Sequence, residues 1–349
     1  MPAAVVIGGR GQCGLAIGRC LRDHGWRVVA TASVPVADRT VVPGVEWVDS
    51  VGDALDALGG TADAVVHTTA FTAADARSLI AVGDRIGSAV VLSTVSVYSD
   101  SVGRSLDTAE DPESFPDWPV PIAEDQPLLP AGVEGYSAQK VAVETILREE
   151  APWPVTIIRP GAIHGPHSRH LREWYFIKRV LDRREVVILP FAGRSVFQPT
   201  AVANLAELVR LAVSRPGSRV LNCGDLDPPT VGEISVLVDQ AMGWSTERMV
   251  VPGPEPAPTV GNHPWAVPRP VIVDMRRAQA ELGYRQPNTY AQGLARALEW
   301  AVEACAHRDW RDVFTTLTAY PDLFDYPAED RYLEGCPDRA RRRASGAEG

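Results

Sequence analysis

The stretch AVVIGGRGQCGLAIGRCL, near the N-terminus, constrains this chain more than any other. The apolar run AAVVIG reads as a buried strand and passes directly into Gly8-Gly9-Arg10-Gly11-Gln12-Cys13-Gly14. An apolar-patterned segment from Gln12 to about Asp23 then predicts a helix. A strand, Gly8-x-x-Gly11-x-x-Gly14 and a helix in that order make a dinucleotide-binding turn. The glycines permit a tight turn, close approach of a phosphate and packing of helix on strand; the helix N-terminus offers its N–H groups to a pyrophosphate. Arg10 is the odd member, a bulky cation where the backbone needs room.

The first half continues in the same alternation. WRVVATA, VEWVD, ADAVVHTT, SAVVLSTVSVY and PVTIIRP read as strands, with the helical stretches SVGDALDAL and AADARSLIAVGDRI between them. This predicts the α/β class, a Rossmann-type doubly wound parallel sheet over residues 1–165, with a later strand near 218–223 (GSRVLNCG) returning to it. From 166 to 305, helical patterns such as REWYFIKRVLDR and YAQGLARALEWAVEA alternate with proline-rich joints, the largest being VPGPEPAPTVGNHPWAVPRP. That texture predicts a smaller C-terminal substrate-binding region. A C-terminal extension over 306–349 follows, amphipathic and aromatic first, and able to dock on its own subunit or a neighbour. It ends in DRARRRASGAEG, read as a frayed, solvated basic tail. Residues 99–134 break the pattern with proline, acid and serine just after a strand's carboxyl end. Ligands bind at such ends in open α/β sheets, so this loop is expected to be a substrate lid, a plain surface excursion being the alternative.

Composition excludes several classes. The 349 residues are 45% hydrophobic and 22% charged, as in an ordinary globular protein of one large domain or two sharing a core. The formal charge of −10 repels phosphate backbones and argues against nucleic acid as a partner. No apolar run is long enough to cross a bilayer, and Gly8 and Arg10 interrupt what would be a signal segment, so a cytoplasmic location is expected. The five cysteines, odd in number and without paired spacing, argue against a disulfide framework or a zinc site. HGPHSRH places His164, His167 and His170 close together, but it begins in a Gly-Pro loop and contains no carboxylate, so no metal is expected.

Two features address the chemistry. An NAD-binding turn usually has an acid at the end of the second strand, where it binds the ribose 2′-hydroxyl; here that strand ends VVATAS. Without a carboxylate to repel it, a 2′-phosphate would find a planar fork of donors in Arg10, with Arg39 as a second contact. Both features point to NADP, with NAD the alternative. Further on, EGYSAQKVAVE sets Tyr136 and Lys140 four apart, on one face of a predicted helix. A nearby ammonium is expected to lower the tyrosine pKa and make the phenol an acid/base at neutral pH. VLSTVSVYSD places the Thr94 hydroxyl at a strand's carboxyl end, ready for a substrate oxygen, with Tyr98 four residues on.

Taken together, GGRGQCG, ADAVVHTTA, STVSVY, YSAQK, IIRPGAIHGP and NCGDLDPPTVGEI resemble the extended short-chain dehydrogenase/reductases, which include the NAD(P)-dependent epimerase/dehydratase proteins, over roughly residues 4–305. The resemblance implies an enzyme in which Tyr136 is the general acid/base. Lys140 would hydrogen-bond the nicotinamide ribose and depress the tyrosine pKa, and Thr94 would orient the reacting oxygen. Gly8, Arg10, Gly11, Gln12, Cys13 and Gly14 would form the cofactor turn. Thr69 and Ala70 would line the cofactor, Asp49 would lie near the adenine, and Pro160 to Ile163 would edge the nicotinamide. Arg194 falls near where relatives with nucleotide-sugar substrates keep a phosphate-binding arginine, a surface loop charge being the alternative. Val95 and Ser96 stand where 4,6-dehydratases carry an Asp-Glu pair, which argues against sugar dehydration and leaves them as candidate substrate contacts beside His164. His164 is a candidate second acid/base for epimerisation. The segment between HTTA and STVS is shorter than in most relatives and lacks the turn into a long helix that helps many of them dimerise; a homodimer is therefore an open expectation. The resulting expectation is an NADP-dependent oxidoreductase acting on a carbonyl or secondary alcohol of a small polar molecule. A sugar or nucleotide-sugar epimerase with retained cofactor is the alternative, and a non-catalytic dinucleotide- or RNA-binding protein the third. The identity of the substrate is not written in these motifs.

Overall fold

The computed structural model describes residues 1–31, 42–129 and 134–336, which form two compact units. Unit 1 comprises residues 1–168, 197–228 and 269–297, and unit 2 the remainder.

Unit 1 is built on a seven-stranded parallel sheet. In chain order it contains β1 (Ala3–Ile7), α1 (Gln12–Asp23), β2 (Arg27–Thr31), β3 (Val45–Val48), α2 (Val51–Ala57), β4 (Ala64–His67), α3 (Ala73–Ile80), β5 (Ala89–Leu92), α4 (Tyr136–Glu150), β6 (Val155–Pro160) and β7 (Ala162–His164). β9 (Pro199–Ala201), α6 (Val202–Ser214), β10 (Arg219–Cys223), α8 (Arg276–Leu282) and the first half of α9 (Tyr290–Cys305) complete it. The sheet order is β10-β6-β5-β4-β1-β2-β3, confirming the doubly wound arrangement. Strands β4 and β5 are buried along their whole length, as a parallel sheet covered on both faces requires, and their short Val-rich sequences suit that place. One face packs Val5, Val65, Val91 and Ile157 against Leu55 of α2, Leu79 of α3 and Leu147 of α4. Helices α1 and α6 pack together, α1 also touching β1 and β2, and α6 touching β5 and β6.

Two segments fold differently from the sequence expectation. Residues 197–228 and 269–297, assigned there to the C-terminal region apart from the returning strand, belong to unit 1. β9 pairs with β7 and β10 with β6, so backbone pairing, invisible to local pattern, claims them. The stretch expected to be a lid is, over its described residues 99–129, tied down along its length. Ser99 N donates to Pro127 O (2.9 Å), Leu129 N to Val97 O (2.9 Å), and Ile122 N to Ile272 O (2.7 Å). Arg269 reaches the carbonyl oxygens of Pro112 and Phe115 at 3.0 and 2.6 Å.

Unit 2 contains α5 (Trp174–Leu181), β8 (Val186–Leu189), α7 (Val231–Met242), β11 (Glu247–Val250), the second half of α9, α10 (Trp310–Val313) and α11 (Tyr326–Glu334). β8 and β11 form a two-stranded parallel sheet around a small core of Val186, Ile188, Val260 and Leu333. Arg179 is buried in α5, with its guanidinium 3.6 Å from the Tyr175 ring centre and ion-paired to Glu329 of α11. Residues 310–334 of the extension therefore pack within this unit. The basic tail from 337 onward lies outside the described residues.

Candidate functional site

Parallel strands bring their carboxyl ends to one edge. Register places Ile7 of β1 beside His67 of β4, His67 beside Val91 of β5, and Val91 beside Ile157 of β6. The chain leaves β1 toward β2 and β3 on one side, while β4, β5, β6 and β10 lie on the other, so β1/β4 is the switch point at which such sheets hold ligands.

The glycine turn sits there, and its geometry explains its glycines. Gly8 has φ +79°, and a Cβ on it would meet the Thr68 hydroxyl at 2.5 Å. A Cβ on Gly14 would be driven into the Gly8 carbonyl oxygen. The turn is closed by Gly11 N donating to Gly8 O (3.1 Å) and anchored by Gly9 N donating to Thr31 O of β2 (2.9 Å). Helix α1 begins at Gly11 without a side-chain cap and without an acid in its first turn, which leaves its positive end suited to an anion. These features fit a dinucleotide pyrophosphate. Gln12 is half-buried, its Nε2 donating to Gly165 O (3.1 Å), and Cys13 is a thiol that burial pushes up to about 12. The Arg10 guanidinium lies 6.0 Å from the Trp47 ring centre. Asp49 is exposed just beyond β3. Arg39 lies outside the described residues.

Across the switch point the catalytic candidates converge. Thr94 follows β5, caps a short 3₁₀ turn over Val95–Val97 and accepts from Ser96 N (3.2 Å). It is close enough to the Tyr136 phenol to favour the phenolate. Helix α4 starts at Tyr136 because Gly135, at φ +127°, turns the chain and because Asp107 supplies the cap. Asp107 accepts from Ser137 N (2.9 Å) and Ser137 Oγ (2.7 Å). Lys140, one turn on, is buried and donates to Ala70 O (2.8 Å) and Leu92 O (2.9 Å), joining the ends of β4 and β5. The Phe71 ring lies 4.6 Å from the ammonium, and that of Tyr136 lies 5.9 Å away.

The electrostatics differ from expectation at one point. Tyr136 was expected to be acidified by Lys140. Its pKa is instead raised, first by burial of the phenol, against which Thr94 acts, and further by the charge of Asp107. The residue is still 48% exposed, so the upward push acts on a side chain open on one flank. Lys140 itself is lowered to about 8 by burial, against Glu144, Asp75 and Cys13. Its hydrogen bonds go to backbone carbonyls, and its charge is not what sets the phenol.

Beneath α4 runs a buried polar network that sequence reasoning did not find. Arg159 Nη2 and Nε meet Glu144 at 2.5 and 3.0 Å, Ser93 Oγ donates to the same carboxylate (2.5 Å), and Arg159 reaches Glu124 O (3.1 Å). Tyr98 belongs to this layer, with its hydroxyl on Asn222 Oδ1 (2.6 Å) and Arg159 over its ring, and it is fully buried. Thr68, Phe71 and Asp107 were also missed. The signal for Thr68 was present in the small polar run HTTA, whereas Asp107 acts across 30 residues of loop and had none.

The remaining candidates are dispersed. Thr69 packs against Gly8, Ala70 is buried beside Lys140, Pro160 ends β6 and Ile163 lies in β7. Val95 is buried and Ser96 partly so. His164 does not face open space. It is 1% exposed, its Nε2 3.1 Å from Asp225 Oδ2, and Asp225 also accepts from Ala201 N and Asn204 Nδ2. Arg194 is exposed in unit 2, after a 3₁₀ turn. Among the described residues no group of His, Cys, Asp and Glu could hold a metal, and no helix is long and apolar enough to cross a membrane.

A doubly wound parallel sheet with a glycine turn at its switch point, and a threonine, tyrosine and lysine on the same edge, defines the Rossmann-type class. The chain belongs to the NAD-dependent epimerase/dehydratase family, whose model matches residues 4–224, and it is an enzyme by that membership. No curated protein matches it in sequence. Among solved structures it is similar to a UDP-glucose 4-epimerase from Stenotrophomonas maltophila with bound NAD and formylated UDP-arabinopyranose. That likeness has 16% identity and TM-score 0.68, covering 88% of this chain and 100% of the other. It is also similar to a dTDP-glucose 4,6-dehydratase from Bacillus anthracis in complex with NAD (15% identity, TM-score 0.64, covering 88% and 98%). A third is a UDP-glucose 4-epimerase from Thermotoga maritima with UDP-glucose (18% identity, TM-score 0.63, covering 86% and 99%). At these identities the likeness shows the fold.

Proposed function

We propose that this chain is a nicotinamide-dinucleotide-dependent oxidoreductase acting on a secondary alcohol or carbonyl of a small polar molecule, with Tyr136 as general acid/base. The carrying observation is that Tyr136, Thr94 and Lys140 come together at the strand ends next to the glycine turn. The dinucleotide, when bound, supplies or accepts the hydride. The chain's residues do the rest. Thr94 orients the reacting oxygen by hydrogen bond, and the Tyr136 hydroxyl gives or takes its proton. Lys140 holds the β4 and β5 ends in place beside Tyr136. The phenol is protonated at neutral pH, as an ordinary tyrosine is, and so can serve as the acid in the reductive direction.

Our preference for NADP rests on this chain's own residues, since the Stenotrophomonas maltophila epimerase and the Bacillus anthracis dehydratase structures contain NAD. Thr31 ends β2 with no acid, and Arg10 stands beside Trp47 at the mouth of the turn. The family membership supports a second reading, a nucleotide-sugar epimerase that retains its cofactor. Mass spectrometry of the nucleotide released on denaturation, with NADP and NAD titrations of the stripped protein and of Arg10→Ala, separates the two. Exchangeable NADP, weakened more than tenfold in the variant while NAD is little changed, supports the reductase. Tightly retained NAD, or equal weakening of both, overturns the NADP preference and favours the epimerase.

A further inference from the structure

Unit 1 contains a concavity along α1, which Gln12 borders at one end. It measures about 360 Å³ and lies between α1, α6, the loop after β7 and the residues leading into α9. Its volume lies within the range of small-molecule sites. The floor is apolar, made by Leu15 of α1 with Val202 and Ala206 of α6, and Pro166 and Pro287 form walls. Arg19 and Arg296 stand on the rim with His167.

The charges around it do not cancel. Two carboxylates also line it, but both are engaged by arginines outside the lining. Glu207 is held by Arg210 through two bonds of 2.7 Å, and Asp23 by Arg22 at 2.5 Å. Among the described residues, Arg19 and Arg296 have no carboxylate partner. His167 adds backbone strain, since it is a non-glycine residue at φ +63°, a conformation that is costly and clusters at ligand sites. Burial and the charge of Arg19 lower its pKa, so it presents a neutral imidazole.

We propose that this pocket is a binding site for a small organic anion, a carboxylate or phosphate ester on a compact apolar body, with the anion on Arg19 and Arg296 and the body against Leu15, Val202 and Pro166. The groups that would hold the anion and its body contain none of Thr94, Tyr136 and Lys140, so the proposal does not depend on the proposed reaction.

The probes are phenyl phosphate, benzoate and inorganic phosphate, titrated into the full chain by calorimetry or by protein-observed NMR. Phenyl phosphate or benzoate is expected to bind at least tenfold more tightly than inorganic phosphate. Binding is expected to weaken about tenfold in Arg19→Ala or Arg296→Ala and to be lost in the double variant. Both positions are exposed, so the variants keep the fold, and an unchanged melting curve checks this. The proposal is overturned if neither aromatic probe binds at millimolar concentration, if inorganic phosphate binds as tightly as they do, or if the double variant binds them undiminished.

Discussion

Two places on unit 1 hold titratable groups that would serve as acid or base, and they have opposite surroundings. At the Tyr136 edge the side chain is 48% exposed, with Thr94 beside it and Phe71, 44% exposed, completing an open patch. At His164 the imidazole is 1% exposed, Asp225 is fully buried, and Ala201, Asn204 and the Tyr290 ring, 4.9 Å away, close the cage. The residue types alone rank histidine as the better acid/base at neutral pH. The difference teaches that access, rather than intrinsic pKa, separates a group able to meet a substrate from one closed in by its neighbours. His164 spends its ring on holding β7, β9 and α6 together. Tyr136 meets Thr94 and the Phe71 ring and is open on its other flank.

The largest effect that would break this contrast is on turnover. Tyr136→Phe is expected to lower dinucleotide-coupled turnover by about 10²–10⁴-fold, as loss of a positioned acid/base does. Dinucleotide binding and the melting curve should stay near wild type. Turnover equal to wild type would remove the open edge from the chemistry.

His164→Ala sharpens the other side. Deleting a buried partner of Asp225 is expected to cost about 1–3 kcal/mol in urea unfolding. Turnover of the folded fraction should remain within a few-fold of wild type. A large loss of turnover at unchanged stability would return the histidine to the active chemistry and collapse the comparison.

The smallest effect concerns Lys140, buried under the open edge. Its folded pKa is lowered to about 8. The unfolded value is about 10.4. Between these values the unfolded chain holds a proton that the folded chain has shed, so stability rises with pH across the window and is lost again as pH falls toward 8. Relative to Lys140→Met, whose side chain does not titrate, the wild type is expected to gain on the order of 2 kcal/mol between pH 8 and 10.4. Parallel curves for the two proteins would show that the lysine is solvated as if exposed.

The strands and helices of the sheet's first half were legible because each reports itself locally. Val-rich runs, glycine punctuation and 3.6-residue periodicity are properties of neighbouring residues, and β1, α1, β4, β5 and β6 fall where those signals lie. The same holds for the glycine turn, for Thr94 and for the Tyr136–Lys140 spacing. What the chain does far from itself was not legible. Asp107 caps α4 across 30 residues, Glu144 meets Arg159 on the next strand, and β9 and β10 rejoin unit 1 after an excursion into unit 2. The direction of the Tyr136 shift belongs to this second class, because it depends on how far the phenol is desolvated and on where the Lys140 ammonium points. Sequence by itself determined the elements, the glycine turn and the spacing of Thr94, Tyr136 and Lys140, since these follow from backbone propensity and residue chemistry. Only tertiary structure decided which groups are open and which are sealed, because burial and long-range hydrogen bonds exist only once the chain has closed on itself.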